Sequence, residues 1–167
     1  SCHGGYGWKD PTFDFKDMTK VDCLVCHDTT GTYIKDPAGA GEPLAKVNLT
    51  NVAQNVGAPV RDNCGSCHFY GAGGDAVKHG DLDSSMAYPD KATDVHMDTD
   101  GNDFQCQTCH VTENHQISGN AMGVSPGGEN KIGCENCHDA APHKNKKLNT
   151  HTATVACQTC HIPSFAK

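Results

Sequence analysis

The sequence predicts a mostly coil chain with short helices, a single irregular domain over residues 1–167 whose interior is not built from its own side chains. Three observations predict it. Leu, Ile, Val and Phe supply only 25 of the 167 residues (5, 4, 11 and 5), below the roughly 20% at which a strongly charged chain reads as disordered. Gly (18) and Pro (8) punctuate the chain, and its formal net charge is -7. Against these stand 11 Cys and 11 His. The missing apolar mass is expected to be replaced by something those residues bind.

The chain opens on Ser1-Cys2-His3 without a charged and then apolar leader, so a processed or truncated N-terminus is expected. No run approaches the roughly 18 apolar residues of a membrane helix, and no membrane span is expected. The longest cationic cluster is Lys144, Lys146 and Lys147, so nucleic acid is not an expected partner.

Ten cysteines form five Cys-x-x-Cys pairs, each followed at once by histidine: Cys23/Cys26/His27, Cys64/Cys67/His68, Cys106/Cys109/His110, Cys134/Cys137/His138 and Cys157/Cys160/His161. Cys-x-x-Cys-His is the attachment site of c-type haem. Two thiols add to the porphyrin vinyl groups and the adjacent imidazole is placed under the iron. Each motif is expected on a short helical turn, because both thiols and the ring must face one side of the chain. Between them, segments 36–43 and 125–130 are loops by their Pro, Gly and Asn content.

Other cysteine chemistries fit less well. Structural zinc wants two pairs about 15 to 20 residues apart and no obligatory histidine, whereas these motifs start 41, 42, 28 and 23 residues apart. A disulfide framework is disfavoured by the odd count and by the strain of four-residue loops. A thioredoxin-like pair needs one motif in a strand-helix context. The eleventh cysteine, in Cys2-His3, has the tail of a sixth motif, either cut within it or holding a haem by one thioether; a sixth haem there is expected beside the five, with a plain surface Cys-His pair as the alternative.

Five histidines remain: His79, His96, His115, His143 and His151. They balance the five complete motifs if each iron takes two imidazoles, which saturates it and favours outer-sphere electron transfer. His115 and His143 each follow a motif histidine by five residues. A four-residue spacer can hardly wrap round a macrocycle, so both are expected to ligate neighbouring haems. That forces the haems into a packed row. If His3 marks a sixth haem, one distal position is unfilled. Lys78 beside His79, in the glycine-flanked segment 73–80, could fill it once deprotonated, although a solvated lysine is the reading that its residues alone favour.

Two further patterns carry no site. In segment 98–103 an EF-hand frame would put His96 and Gln107 where acids are needed. Asn48-Leu49-Thr50 matches a glycosylation sequon, a short and common pattern.

Residues around the motifs resemble the octahaem tetrathionate reductase family of multihaem cytochromes c. The similar stretches are residues 5–10 (GYGWKD), 22–33 (DCLVCHDTTGTY), 63–85 (NCGSCHFYGAGGDAVKHGDLDSS), 94–97 (DVHM), 115–119 (HQISG) and 155–166 (VACQTCHIPSFA). The resemblance implies an irregular multihaem cytochrome c wrapped around a packed haem array in the periplasm. It also implies one lysine-ligated haem that reduces small oxyanions or nitrogen compounds such as tetrathionate, nitrite or hydroxylamine. Lys78 would be that lysine, with the haem at Cys2-His3 as its partner. The family carries eight haems and this chain five complete motifs plus a remnant, so a piece of a longer protein, a reduced relative or a subunit are all open. The expected function is electron transfer between redox protein partners, in the periplasm or at the cell surface. A reductase and a polymeric conduit of identical subunits end to end are the alternatives.

Overall fold

The computed structural model describes residues 4–36, 38–71, 73–77, 82–119 and 132–162. Among them the helices are short: α1 (Leu24–His27), α2 (Leu49–Gln54), α3 (Arg61–His68), α4 (Cys106–Cys109), α5 (Lys146–His151) and α6 (Gln158–His161). Single 3-10 turns lie at Met18–Lys20, Ser84–Ala87 and Cys134–Asn136. A two-residue antiparallel ribbon pairs β1 (Thr112–Glu113) with β2 (Gln116–Ile117). The chain is mostly coil, as its composition predicts. The described residues fall into two compact units, one ending at Asp103 and the other beginning at Phe104.

Aspartate turns replace long helices as the local scaffold. The carboxylates of Asp10, Asp17, Asp28, Asp83 and Asp90 each accept from the backbone amide and the hydroxyl of a Thr or Ser two or three residues on. Such side chains offer the backbone an alternative to helix. Hydrogen bonds from Thr12, Thr19 and Thr93 hold the carboxyls of Asp10, Asp17 and Asp90 below their usual range, and Ser84 does the same for Asp75. A depressed folded-state pKa contributes stability above the unfolded value near 3.9, and that contribution is lost as pH falls through the folded value. Stability measured by denaturant titration should therefore be flat from neutral pH to about 5 and fall below about 4. A fall already under way at pH 6 would contradict this.

In the first unit the described buried apolar side chains are few. Val52 on α2 is fully buried and Phe69, just past α3, is 6% exposed. Phe69 folds back over the second motif, where a Cβ on Gly65 would come within 2.1 Å of its ring. Glycine inside that Cys-x-x-Cys pair is therefore a packing requirement. Asn48 caps α2 by accepting from the Asn51 amide (3.0 Å), so the sequon-like triplet is a helix start.

Arg61, buried in α3, ties that helix to the segment after it. Its guanidinium donates to the Met97 carbonyl (2.9 Å), the Ala87 carbonyl (3.4 Å) and Asp103 Oδ1 (2.7 Å). The acidic turn is thus a closed piece of backbone. Asp98 accepts from the amides of Asp100, Gly101 and Asp103, while Asp103 serves the arginine.

In the second unit the ribbon turns through Asn114 (φ 50) and His115 (φ 62). Both lie in the left-handed region that two-residue hairpin loops demand. Asn145 caps α5 by accepting from the Lys147 amide (2.9 Å). From the far end of the helix, the Thr152 hydroxyl donates to the Ala140 carbonyl (3.1 Å) and so straps segment 140–143 against it.

Candidate haem-binding sites

All five motifs take the expected helical turn. The histidine amide bonds back to the carbonyl of the first cysteine at 3.0 Å for His27, 2.9 Å for His110, 2.9 Å for His138 and 3.0 Å for His161, and Cys64 to His68 lie within α3. This curl brings both sulfurs and the ring to one side of each turn. None of the ten described motif cysteines is in a disulfide, and Cys23, Cys26, Cys109, Cys137 and Cys160 are exposed. Burial, with the neighbouring Cys67 second, pushes the Cys26 thiol up; burial and then Cys157 do the same for Cys134. The first and second motifs are thus neighbours, as are the fourth and fifth.

The rings are held by groups distant in sequence. His27 Nδ1 lies 2.8 Å from the Gly57 carbonyl, and the Gly57 amide returns a bond to the His27 carbonyl at 3.0 Å. His110 Nδ1 lies 2.9 Å from the Ser118 carbonyl, where β2 comes back past the motif. A carbonyl only accepts, so Nδ1 donates in both rings, and Nε2 is the nitrogen that could serve as an axial ligand. Gly119 (φ 122) permits the approach, since a Cβ there would lie 3.1 Å from His110 Nδ1.

Polar residues brace the first two motifs. Asp22 accepts from the Leu24 amide (3.1 Å), from the Tyr33 hydroxyl and from Lys35 Nζ (2.8 Å). Burial, and then the bond to Asp22, raises the Tyr33 phenol well above its ordinary pKa. Asn63, just before Cys64, donates to the Asp28 carbonyl (3.0 Å), just after His27. Asp28 is itself buried. Burial pushes its carboxyl up, but bonds from Thr30, Tyr33 and Thr32 more than compensate, and it stays below the usual range.

The spare histidines are placed as follows. His143 Nε2 lies 3.4 Å from His161 Nε2, with ring centroids 5.7 Å apart and planes 17° from parallel. The centroid distance exceeds the nitrogen gap by about the width of one ring, so the rings meet head-on, nitrogen to nitrogen. His143 thus reaches past its own motif to the next one. His96 sits beside Asp94, its Nδ1 3.8 Å from Oδ1. His115 is at the hairpin tip, and His151 ends α5. Cys2, His3, Lys78 and His79 lie outside the described residues.

Sequence reasoning missed the carbonyls of Gly57 and Ser118, which carry no side-chain signature. It also gave no role to Asn149, and Asp22, Asp28 and Asn63 stood only inside the stretches of resemblance. Their one available signal was position, because Asp22, Asp28 and Asn63 directly abut motif residues.

The residues present fit haem c. Imidazoles with Nε2 lone pairs, one pair of them facing, supply axial ligands, and cysteines in reach of each motif histidine supply thioether links. Among the described residues Phe15, Met18, Val77, Tyr88, Val111 and Ile117 are exposed, apolar surface of the kind porphyrin faces cover. Among the described residues no group of three or more Cys, His, Asp or Glu is arranged to hold a metal ion by protein ligands alone.

The chain is similar to an octahaem cytochrome c of known crystal structure from Shewanella oneidensis, with 83% identity over 98% of this chain and a TM-score of 0.84. With that likeness the chain is a multihaem c-type cytochrome. The sequence resemblance to octahaem cytochromes c is thereby borne out, and the group held by this cytochrome's motifs is haem c. The chain spans 36% of the Shewanella chain. It is also 26% identical, over 140 residues, to an uncharacterized protein of Archaeoglobus fulgidus, covering 72% of this cytochrome and 46% of that protein. No family model matches the cytochrome. No helix among its described residues is long and apolar enough to cross a membrane.

Proposed function

We propose that residues 1–167 act as one electron-carrying module, passing electrons between redox protein partners along a row of mostly bis-imidazole haems, in the periplasm or at the cell surface. The observation that carries this reading is the head-on pair His143 and His161. Two metal-imidazole bonds of about 2.0 Å span roughly 4 Å, so a small widening of the 3.4 Å gap would let the pair hold one iron between them. His161 belongs to the last motif and His143 follows the preceding one, so the last haem would be ligated from its neighbour's segment. Cross-ligation of this kind keeps porphyrins in edge contact. The side-by-side motif turns, first with second and fourth with fifth, support the same arrangement.

Saturated iron offers no open position for substrate. The holoprotein should show low-spin electron paramagnetic resonance signals of bis-imidazole type, and an intact mass carrying five or six haems. It should turn over no tetrathionate, nitrite or hydroxylamine with a reduced dye. Turnover, together with one haem of different ligation, would instead assign a reductase, with Lys78 and the Cys2-His3 haem as its centre. End-to-end filaments in negative stain would assign the polymeric conduit.

A further inference from the structure

We infer that Asn149 is the positioning residue of a distal axial ligand, a side-chain clamp that keeps His143 on the iron of the last motif. The inference rests on the reading of His143 and His161 as one axial pair. A motif histidine needs little help, since two neighbouring thioethers locate it covalently. A distal histidine has no such tether, and only the fold can hold its ring in place. His143 is held three times by one side chain. Asn149 Oδ1 accepts from the His143 amide (2.9 Å) and from its Nδ1 (3.0 Å), and Asn149 Nδ2 donates to the His143 carbonyl (2.8 Å). The donor bond to a carbonyl fixes which end of the amide is nitrogen, so Oδ1 must face the ring. Nδ1 then carries the proton and Nε2 is the lone pair, and that nitrogen is the one aimed at His161. Asn149 sits in α5, whose first turn is capped by Asn145 and whose far end is strapped to Ala140 by Thr152. The clamp is thus mounted on a braced helix.

Two of the proximal rings differ in kind: His27 and His110 donate to backbone carbonyls, which no point substitution removes. At His143 both orientation and ligand strength hang on a replaceable side chain. An amide oxygen takes the Nδ1 proton more weakly than a carboxylate would, so it leaves the imidazole a moderate donor.

The test compares Asn149→Ala, Asn149→Asp and His143→Ala in the haem-loaded full chain. Asn149→Ala should release the ring: about one equivalent of carbon monoxide binds per reduced chain, and one low-spin signal is lost. Asn149→Asp should keep that haem six-coordinate and closed to carbon monoxide, while the reduction potential of one haem moves down and the others stay. The Asn149→Asp shift is the readout that a merely structural residue would not give, and it remains available if the alanine variant unfolds. If His143→Ala opens a haem to carbon monoxide but neither Asn149 variant changes ligation or potential, the clamp is refuted and the axial pair stands. If His143→Ala opens none, the axial pair is wrong and the clamp falls with it.

Discussion

Replacing both cysteines of every motif by serine (C23S, C26S, C64S, C67S, C106S, C109S, C134S, C137S, C157S and C160S) should leave a chain with the far-ultraviolet circular dichroism of a disordered protein and no cooperative melting transition. Val52 and Phe69 are the described buried apolar residues of Val, Leu, Ile, Met and Phe type, and full burial of such a side chain stabilises by about 1.5–3 kcal/mol. Fixing the backbone of one residue costs about 1–2 kcal/mol. Two such side chains therefore offset the ordering of only a few residues, and helices of four to eight residues lie far below the length at which a helix sustains itself in water. Covalent haem changes both sides of the balance. It adds large apolar faces, and its thioether and iron bonds restrict the unfolded chain as cross-links do. A cooperative transition in the serine variant would show that the polypeptide holds its own core.

The second large effect is at Arg61. Arg61→Ala should cost about 3 kcal/mol, because one buried guanidinium supplies the bonds that gather Ala87, Met97 and Asp103 around α3. Asp103→Asn should cost less than about 1 kcal/mol, since Asp103 is 55% exposed and water competes for its charge. Denaturant midpoints followed by haem absorbance would read the ranking. Equal losses would mean that the ion pair, and not the carbonyl bonds, is the important contact. A larger loss at Asp103 would reverse the argument.

Composition and local pattern made much of this protein legible. A poverty of Leu, Ile, Val and Phe, together with frequent Gly and Pro, foretold coil and short turns. The five motifs foretold where those turns fall, because two thiols and an imidazole within five residues can face one porphyrin only from a curled backbone. The aspartate turns are equally local, each an Asp with a Thr or Ser two or three residues on. The segment at 98–103 could be excluded as an EF-hand by residue type. Its actual task, supplying Asp103 to an arginine 42 residues earlier, was invisible without the fold.

Covalent chemistry is short in range, so the sequence alone determined the cofactor and the motifs that present paired thiols to it. Its count of histidines also set how many imidazoles stood beyond those motifs. Which ring meets which was decided only by tertiary structure. His143 and His161 are 18 residues apart, and the groups that orient the rings are a carbonyl 30 residues from His27, another eight residues from His110, and one amide side chain on α5. A backbone carbonyl is the same at every residue. Nothing but the path of the chain can choose the one that meets a given histidine ring.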